Sequence, residues 1–257
     1  MFTQQCACAL LTLTASSSSL IAGGPAPDLT INEIDVDSPG ADTAEFIELY
    51  DGGLGGTDLT GYVIVLYNGA DDASYAVYDL AGFTTNADGF FLLASADVDG
   101  ADLVMPTGQL QNGADAVALH VGDAAAFPND TPVTTMGLVD AVVYGTADAA
   151  DDELLAILGG PQVDEAALGD PATDSIARVP DGAGAFETVD EPSPGSRNTP
   201  EGTCPADVSG EGMVGVEDLV LVMLAWGSAG GSADVNGNGM VDSADLTAVL
   251  VQWGPCS

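Results

Sequence analysis

Residues 206–227, ADVSGEGMVGVEDLVLVMLAWG, and residues 233–254, ADVNGNGMVDSADLTAVLVQWG, align without a gap. At one constant offset Asp207 falls on Asp234, Gly212 on Gly239, Asp218 on Asp245, Leu219 on Leu246 and Trp226 on Trp253. Agreement at so many positions without a gap marks a duplication. Each unit reads as a loop followed by a short helix that begins near the last Asp and stops at a glycine, Gly227 or Gly254. The end of the chain is thereby constrained to a small helical module, whatever precedes it.

The loops carry oxygen-bearing residues at alternate positions. A hard cation such as calcium takes about six to eight oxygens, and a loop of about twelve residues supplies them from positions 1, 3, 5, 7, 9 and 12, with glycine at position 6 for the sharp turn. In the second loop these are Asp234, Asn236, Asn238, the backbone carbonyl of Met240, Asp242 and Asp245, around Gly239. In the first they are Asp207, Ser209, Glu211, the Met213 carbonyl and Asp218, around Gly212. Position 9 of the first loop is Gly215, so water is expected at that vertex. The spacing predicts two calcium sites, the second with more direct ligands. A polar Asx-rich turn without metal is the competing reading of one loop alone, and the repetition of the spacing argues against it.

Upstream, from about Asp28 to Asn198, the pattern changes to short apolar or alternating runs bounded by Gly, Asp and Asn: LTINEIDV, EFIELYD, GYVIVLYN, GFFLLAS, DAVALHV and VDAVVYG. Strands without intervening helices predict a mainly β chain folded as an antiparallel sandwich. DDELLAILGG, 151–160, departs from the pattern with acids at its start and a glycine stop, and reads as a short helix inserted late. DEPSPGSRNTPEGTCP, 190–205, is the end of the closing strand followed by a linker. The expected organisation is a sandwich over 28–198, a linker over 199–203 and the repeat module over 204–257.

Residues 1–24, MFTQQCACALLTLTASSSSLIAGG, are small and apolar and carry no acid. They resemble an export signal without a basic start or a clean cleavage site, and a mis-assigned start codon is the alternative. The apolar stretch is too short to span a bilayer, so the expectation is a secreted protein that does not cross a membrane. Removal of the signal would take Cys6 and Cys8 with it. Cys204 and Cys256 would remain, flanking the repeat, and are compatible with one disulfide in an oxidising compartment.

Charge excludes a class of partner. The chain has 40 Asp and Glu, two arginines and no lysine, for a formal charge of -38. Nucleic acid is held largely by Lys and Arg displacing counterions, so nucleic acid is not an expected partner. With 46% of residues apolar, the acids decorate packed elements rather than a disordered chain.

Two family resemblances follow from these residues. INEI (31–34), EFIELYD (45–51), DLTGYVI (58–64), LQNGADAVAL (110–119), VDAVVYG (139–145), SIAR (175–178) and SPGSRN (193–198) occur in the order of a lamin-tail domain. That resemblance implies an immunoglobulin-like β-sandwich used as an interaction module in secreted bacterial proteins, with an unknown ligand. The paired loops, with Asp rather than Glu at position 12 and one helix after each, resemble a type I dockerin. That resemblance implies calcium-dependent folding and docking to an extracellular protein receptor, cohesin-like or other. In the family, partner choice leans on loop positions 10 and 11, which here are Val216 with Glu217 and Ser243 with Ala244. Trp226 and Trp253 read either as a docking surface or, as paired aromatics at matching helix ends usually do, as core.

No nucleophile elbow, HExxH or phosphate-loop motif occurs. His120, the one histidine, reads as a sheet-edge residue, and the DVD triplets at 35–37 and 97–99 as strand-end turns rather than calcium ligands. The expected function is non-enzymatic calcium-dependent anchoring or assembly outside the cytoplasm. The alternative is an extracellular polymer hydrolase using sandwich carboxylates such as Glu45 and Glu48, which would need a concave site with two converging carboxyls.

Overall fold

The computed structural model describes residues 29–198, 204–210 and 212–256. The expected signal (1–24) and linker (199–203) lie outside the described residues, as does Glu211. The chain is mainly β, with two sheets and few helices.

The first sheet holds β1 (Thr30–Asp35), β2 (Phe46–Tyr50), β5 (Phe90–Ser95), β6 (Leu103–Met105), β10 (Ser175–Arg178) and β11 (Phe186–Val189), in the order β11-β10-β1-β2-β5-β6. The second holds β3 (Tyr62–Asn68), β4 (Ala73–Asp79), β7 (Asp115–Val121), β8 (Leu138–Gly145) and β9 (Gln162–Asp164), in the order β4-β3-β7-β8-β9. Six of these strands coincide with the apolar runs of the sequence. The expectation of a wholly antiparallel sandwich is corrected at two edges, where β5–β6 and β8–β9 pair in parallel. Each pair is joined by an excursion that returns the chain in the same direction, which a tight hairpin cannot do.

Alternation along the strands builds two layers. Ile64 and Leu66 of β3 enter the core between the sheets with Ile34, Ile47, Leu49, Phe91, Val117 and Leu119. Their neighbours Val63, Val65 and Tyr67 point the other way and are also buried, against Ala116, Ala118, Phe127, Val143 and Leu154. Leu154 comes from α1 (Asp152–Leu158), the helix expected over 151–160. Asp151 caps it by accepting the Glu153 and Leu154 N–H groups, and Gly159 ends it at φ 83°, a conformation glycine adopts without strain.

His120 is not at a sheet edge. It lies on β7, between β3 and β8, fully buried in the outer layer. Its ring packs on Phe127 at 4.8 Å, Nδ1 meets the Met136 carbonyl at 3.0 Å, and Nε2 meets the Tyr67 hydroxyl at 3.4 Å. The outer layer that encloses it is contributed by residues distant in sequence, which the DAVALH run could not announce.

In the repeat, β12 (Met213–Val214) leads into α2 (Val216–Leu224), and α3 (Ser243–Val251) leads into β13 (Gly254–Pro255). The core is made of equivalent residues from both units: Ala206 with Ala233, Val214 with Val241, Val222 with Val249, and the partly buried Leu219 with Leu246. Val214 pairs with Gly254, and Val241 exchanges backbone hydrogen bonds with Gly227 and Ser228 at 2.9 and 3.0 Å, so each loop is braced against the exit of the other unit. Both helices end before their glycines, at Leu224 and Val251. Trp226 and Trp253 therefore leave the core-facing side and are 53% and 49% exposed, which corrects the core reading. Cys204 and Cys256 form a disulfide across the ends of the module, with Cα atoms 5.7 Å apart.

Candidate metal centres in the repeat

Position 12 anchors each loop from inside. Asp218 and Asp245 are fully buried, and their oxygens accept backbone N–H groups from positions 3 and 9 of their own loops. For Asp218 the donors are Ser209 and Gly215, at 2.8 and 2.6 Å. For Asp245 they are Asn236 and Asp242, at 3.0 and 2.8 Å. Hydrogen bonding from the Asp242 backbone, with that from Asn236, holds the Asp245 carboxyl below its ordinary range, so it is ionised at neutral pH.

Position 1 closes each loop from the other side. Asp207 accepts the Gly210 and Gly212 N–H groups at 2.8 and 2.7 Å, and Asp234 those of Asn238 and Gly239 at 3.0 and 2.7 Å. The position-6 glycines have φ of 81° and 91°, the turn for which the sequence placed glycine there. Asn236 Oδ1 shares the Asn238 N–H with Asp234 Oδ1, so positions 1 and 3 are drawn together. In the first loop the Ser209 hydroxyl donates to Asp207 Oδ1 at 3.1 Å.

Other positions are not gathered in the same way. Asn238 Oδ1 accepts the Met240 N–H, and the Asp242 carboxylate is turned to α3, where it caps the Ala244 N–H at 2.7 Å. Met213 and Met240 expose their side chains, 48% and 55%, leaving only their backbone carbonyls for the role the spacing gives them. Among the described residues no three His, Cys, Asp or Glu side chains form a ready metal-ligating group. The donor chemistry nonetheless fits a hard cation: all are oxygens, and a carboxylate has about four acceptor positions, of which the loop backbone takes about two.

The sandwich carries carboxylates that sequence reasoning missed as a group. Glu33 and Glu48 face each other across β1 and β2, both fully buried. Glu48 accepts from Asn32 Nδ2 and from the Gly195 N–H, and burial pushes its pKa up to about 9. Glu33 accepts from the Ser175 and Ser193 hydroxyls, and burial raises it as well. Glu45 receives the Gln109 and Leu110 N–H groups, Glu165 those of Val36 and Asp37. The signal was an acid at a strand position otherwise fitted for an apolar residue. These groups are enclosed and occupied by the backbone and side chains of the sandwich itself, unlike the open carboxyl pair that the hydrolase reading needs.

The exposed face of the repeat is apolar. Val216, Val220, Met223 and Leu224 of α2 and Leu250 and Val251 of α3 are 45–79% exposed. Among the described residues no helix is long and apolar enough to cross a membrane. No known family model matches the chain, and no curated protein matches it.

Proposed function

We propose that this is a secreted, non-catalytic interaction protein, in which a lamin-tail-like, immunoglobulin-like sandwich is held by a dockerin-like module that binds two calcium ions and docks to an extracellular protein receptor. The observation that carries the reading is the equivalence of the two loops. In both, the position 12 carboxylate accepts the backbone N–H groups of positions 3 and 9, and the position 1 carboxylate accepts that of position 6. A calcium ion would supply counter-charge to the acidic groups of such a turn.

Docking is supported by the apolar face of α2 and α3, large for so small a module. A disulfide across its ends suits an oxidising compartment. The test is the full-length protein with and without chelator. Chelation is expected to abolish the helical circular dichroism of the repeat and, with it, capture of a protein receptor from the secreted proteome. A spectrum and a capture profile unchanged by chelator would overturn the reading.

A further inference from the structure

At one end of the second sheet lies an open pocket of about 370 Å³. Three connections form it: Asn68 and Gly69 at the end of β3, Ala114 and Asp115 at the start of β7, and Asp151 at the start of α1. They meet at Gly69. A side chain there would run into the Ala114 carbonyl oxygen and Asp151 Oδ2, so two oxygens from different connections converge on the bare face of the glycine. The Gly69 N–H donates to Asp115 Oδ1 at 2.9 Å, so a second group from the start of β7 reaches the same point.

Asp115 is 3% exposed, and its Oδ2 has no hydrogen-bond partner. Leaving a buried acceptor unpaired is costly, and more so for a charged one. Asp151 commits Oδ1 to the first N–H groups of α1, which leaves Oδ2 turned toward Gly69. The charges acting on Asp115 are acidic: Asp148, Asp151 and Asp71. The two arginines act elsewhere, Arg178 on Asp140 and Arg197 on Asp181 and Tyr50.

We propose that this pocket is a third divalent-cation site, of the calcium class, with the Asp115 and Asp151 carboxylates and the Ala114 carbonyl as protein donors and water completing the shell. All three donors are hard oxygens, and two carboxylates neutralise the ion. The ion ties the β3–β4 turn, the entry to β7 and the start of α1 into one rigid pole. The site uses no residue of the repeat and stands whether or not the repeat binds calcium.

The test uses full-length protein carrying Asp207→Ala and Asp234→Ala, titrated with calcium chloride by calorimetry, with circular dichroism confirming the sheet. One saturable calcium is expected to remain and to raise the melting temperature of the sandwich. Adding Asp115→Asn and Asp151→Asn, which are nearly isosteric, is expected to weaken that ion by about tenfold or more. If the combined variant does not fold, Asp151→Asn alone, which keeps a helix-capping side chain, is read for the same loss. No residual saturable ion, uptake of many weak ions without saturation, or a residual ion indifferent to these substitutions would overturn the proposal. Failure of the repeat as a calcium module would appear separately, as equal stoichiometry in the wild type and the Asp207→Ala, Asp234→Ala protein.

Discussion

Arg178 on β10 and Asp140 on β8 join the two sheets, with Arg178 Nη2 at 2.8 and 3.0 Å from the two carboxylate oxygens. Both groups also engage Ile31 on β1: Asp140 Oδ2 accepts its N–H at 2.9 Å, and Arg178 Nε donates to its carbonyl at 3.0 Å. The guanidinium lies over the Phe186 ring at 4.0 Å. One of the two basic residues in the chain is therefore spent on a partly buried cross-sheet clamp. Arg178→Met is expected to leave Asp140 enclosed without its counter-ion and to destabilise the sandwich by about 3 kcal/mol or more. Urea unfolding followed by circular dichroism measures it. A change below 1 kcal/mol would place the pair among weak surface bridges.

The enclosed acids set an unusual dependence on pH. Burial pushes Glu48 and Glu165 up to about 9 and Asp35 up to about 8. Below the ordinary carboxylate range these groups are protonated both folded and unfolded. As pH rises through that range only the unfolded chain releases its protons, so stability falls until the folded values are passed. The loss is spread from about pH 4 to about pH 9. The melting temperature of the sandwich at low ionic strength is expected to be higher at pH 5 than at pH 8.5, by about 5 °C or more. Scanning calorimetry at the two values is the measurement, and a rise in stability over this interval would contradict the buried network.

The Cys204–Cys256 bond closes a loop of sequence separation 52. On the loop-entropy account that constrains the unfolded module by about 4 kcal/mol. Cys256→Ser is expected to lower the melting transition of the repeat far more than that of the sandwich. Titration of the native protein for free thiols is expected to find none at Cys204 or Cys256, and reactive thiols at both would refute the clasp.

The two loops are expected to bind calcium unequally. Each loop has three carboxylates at its ligand positions, Asp234, Asp242 and Asp245 in the second and Asp207, Glu211 and Asp218 in the first, so charge alone makes them similar. The second has more direct ligands, because position 9 of the first is Gly215 and the longer arm of Glu211 must fold into a space sized for Asp or Asn. Asp242 must turn from its N-cap bond at Ala244 to reach the ion, which reduces its advantage without removing it. Asp234→Ala should abolish the tighter calorimetric phase and Asp207→Ala the weaker one, with affinities separated by about tenfold. Survival of the tight phase in Asp234→Ala would reverse the order.

The apolar face of the repeat gives a separable prediction. Leu224 and Val251 are 79% and 78% exposed, so Leu224→Asp with Val251→Asp removes little buried area. Capture of the receptor is expected to fall at least about tenfold, a cost of about 1.4 kcal/mol or more, while the calcium-loaded melting temperature stays within about 2 °C. Unchanged capture would move the docking surface elsewhere.

Much of this protein was legible from local pattern. The duplication determined two equivalent loop–helix units, because turn geometry, capping and the Asp and Gly positions are settled within a dozen or so residues. The apolar runs announced six strands, and the acids before Leu154 with Gly159 after it announced α1. What the sequence left open depends on residues far apart in the chain. His120 looks like the end of a strand, yet Phe127 and Tyr67 bury it. Trp226 and Trp253 look like core, yet the core is already filled by Val222, Val249 and their partners. Glu33 and Glu48 look like surface acids until the segment around Ser193 and Gly195 folds over them. Local pattern selects the element and its two faces; which face is covered, and by what, is decided only when distant segments pack, because burial and charge pairing are properties of the assembled fold.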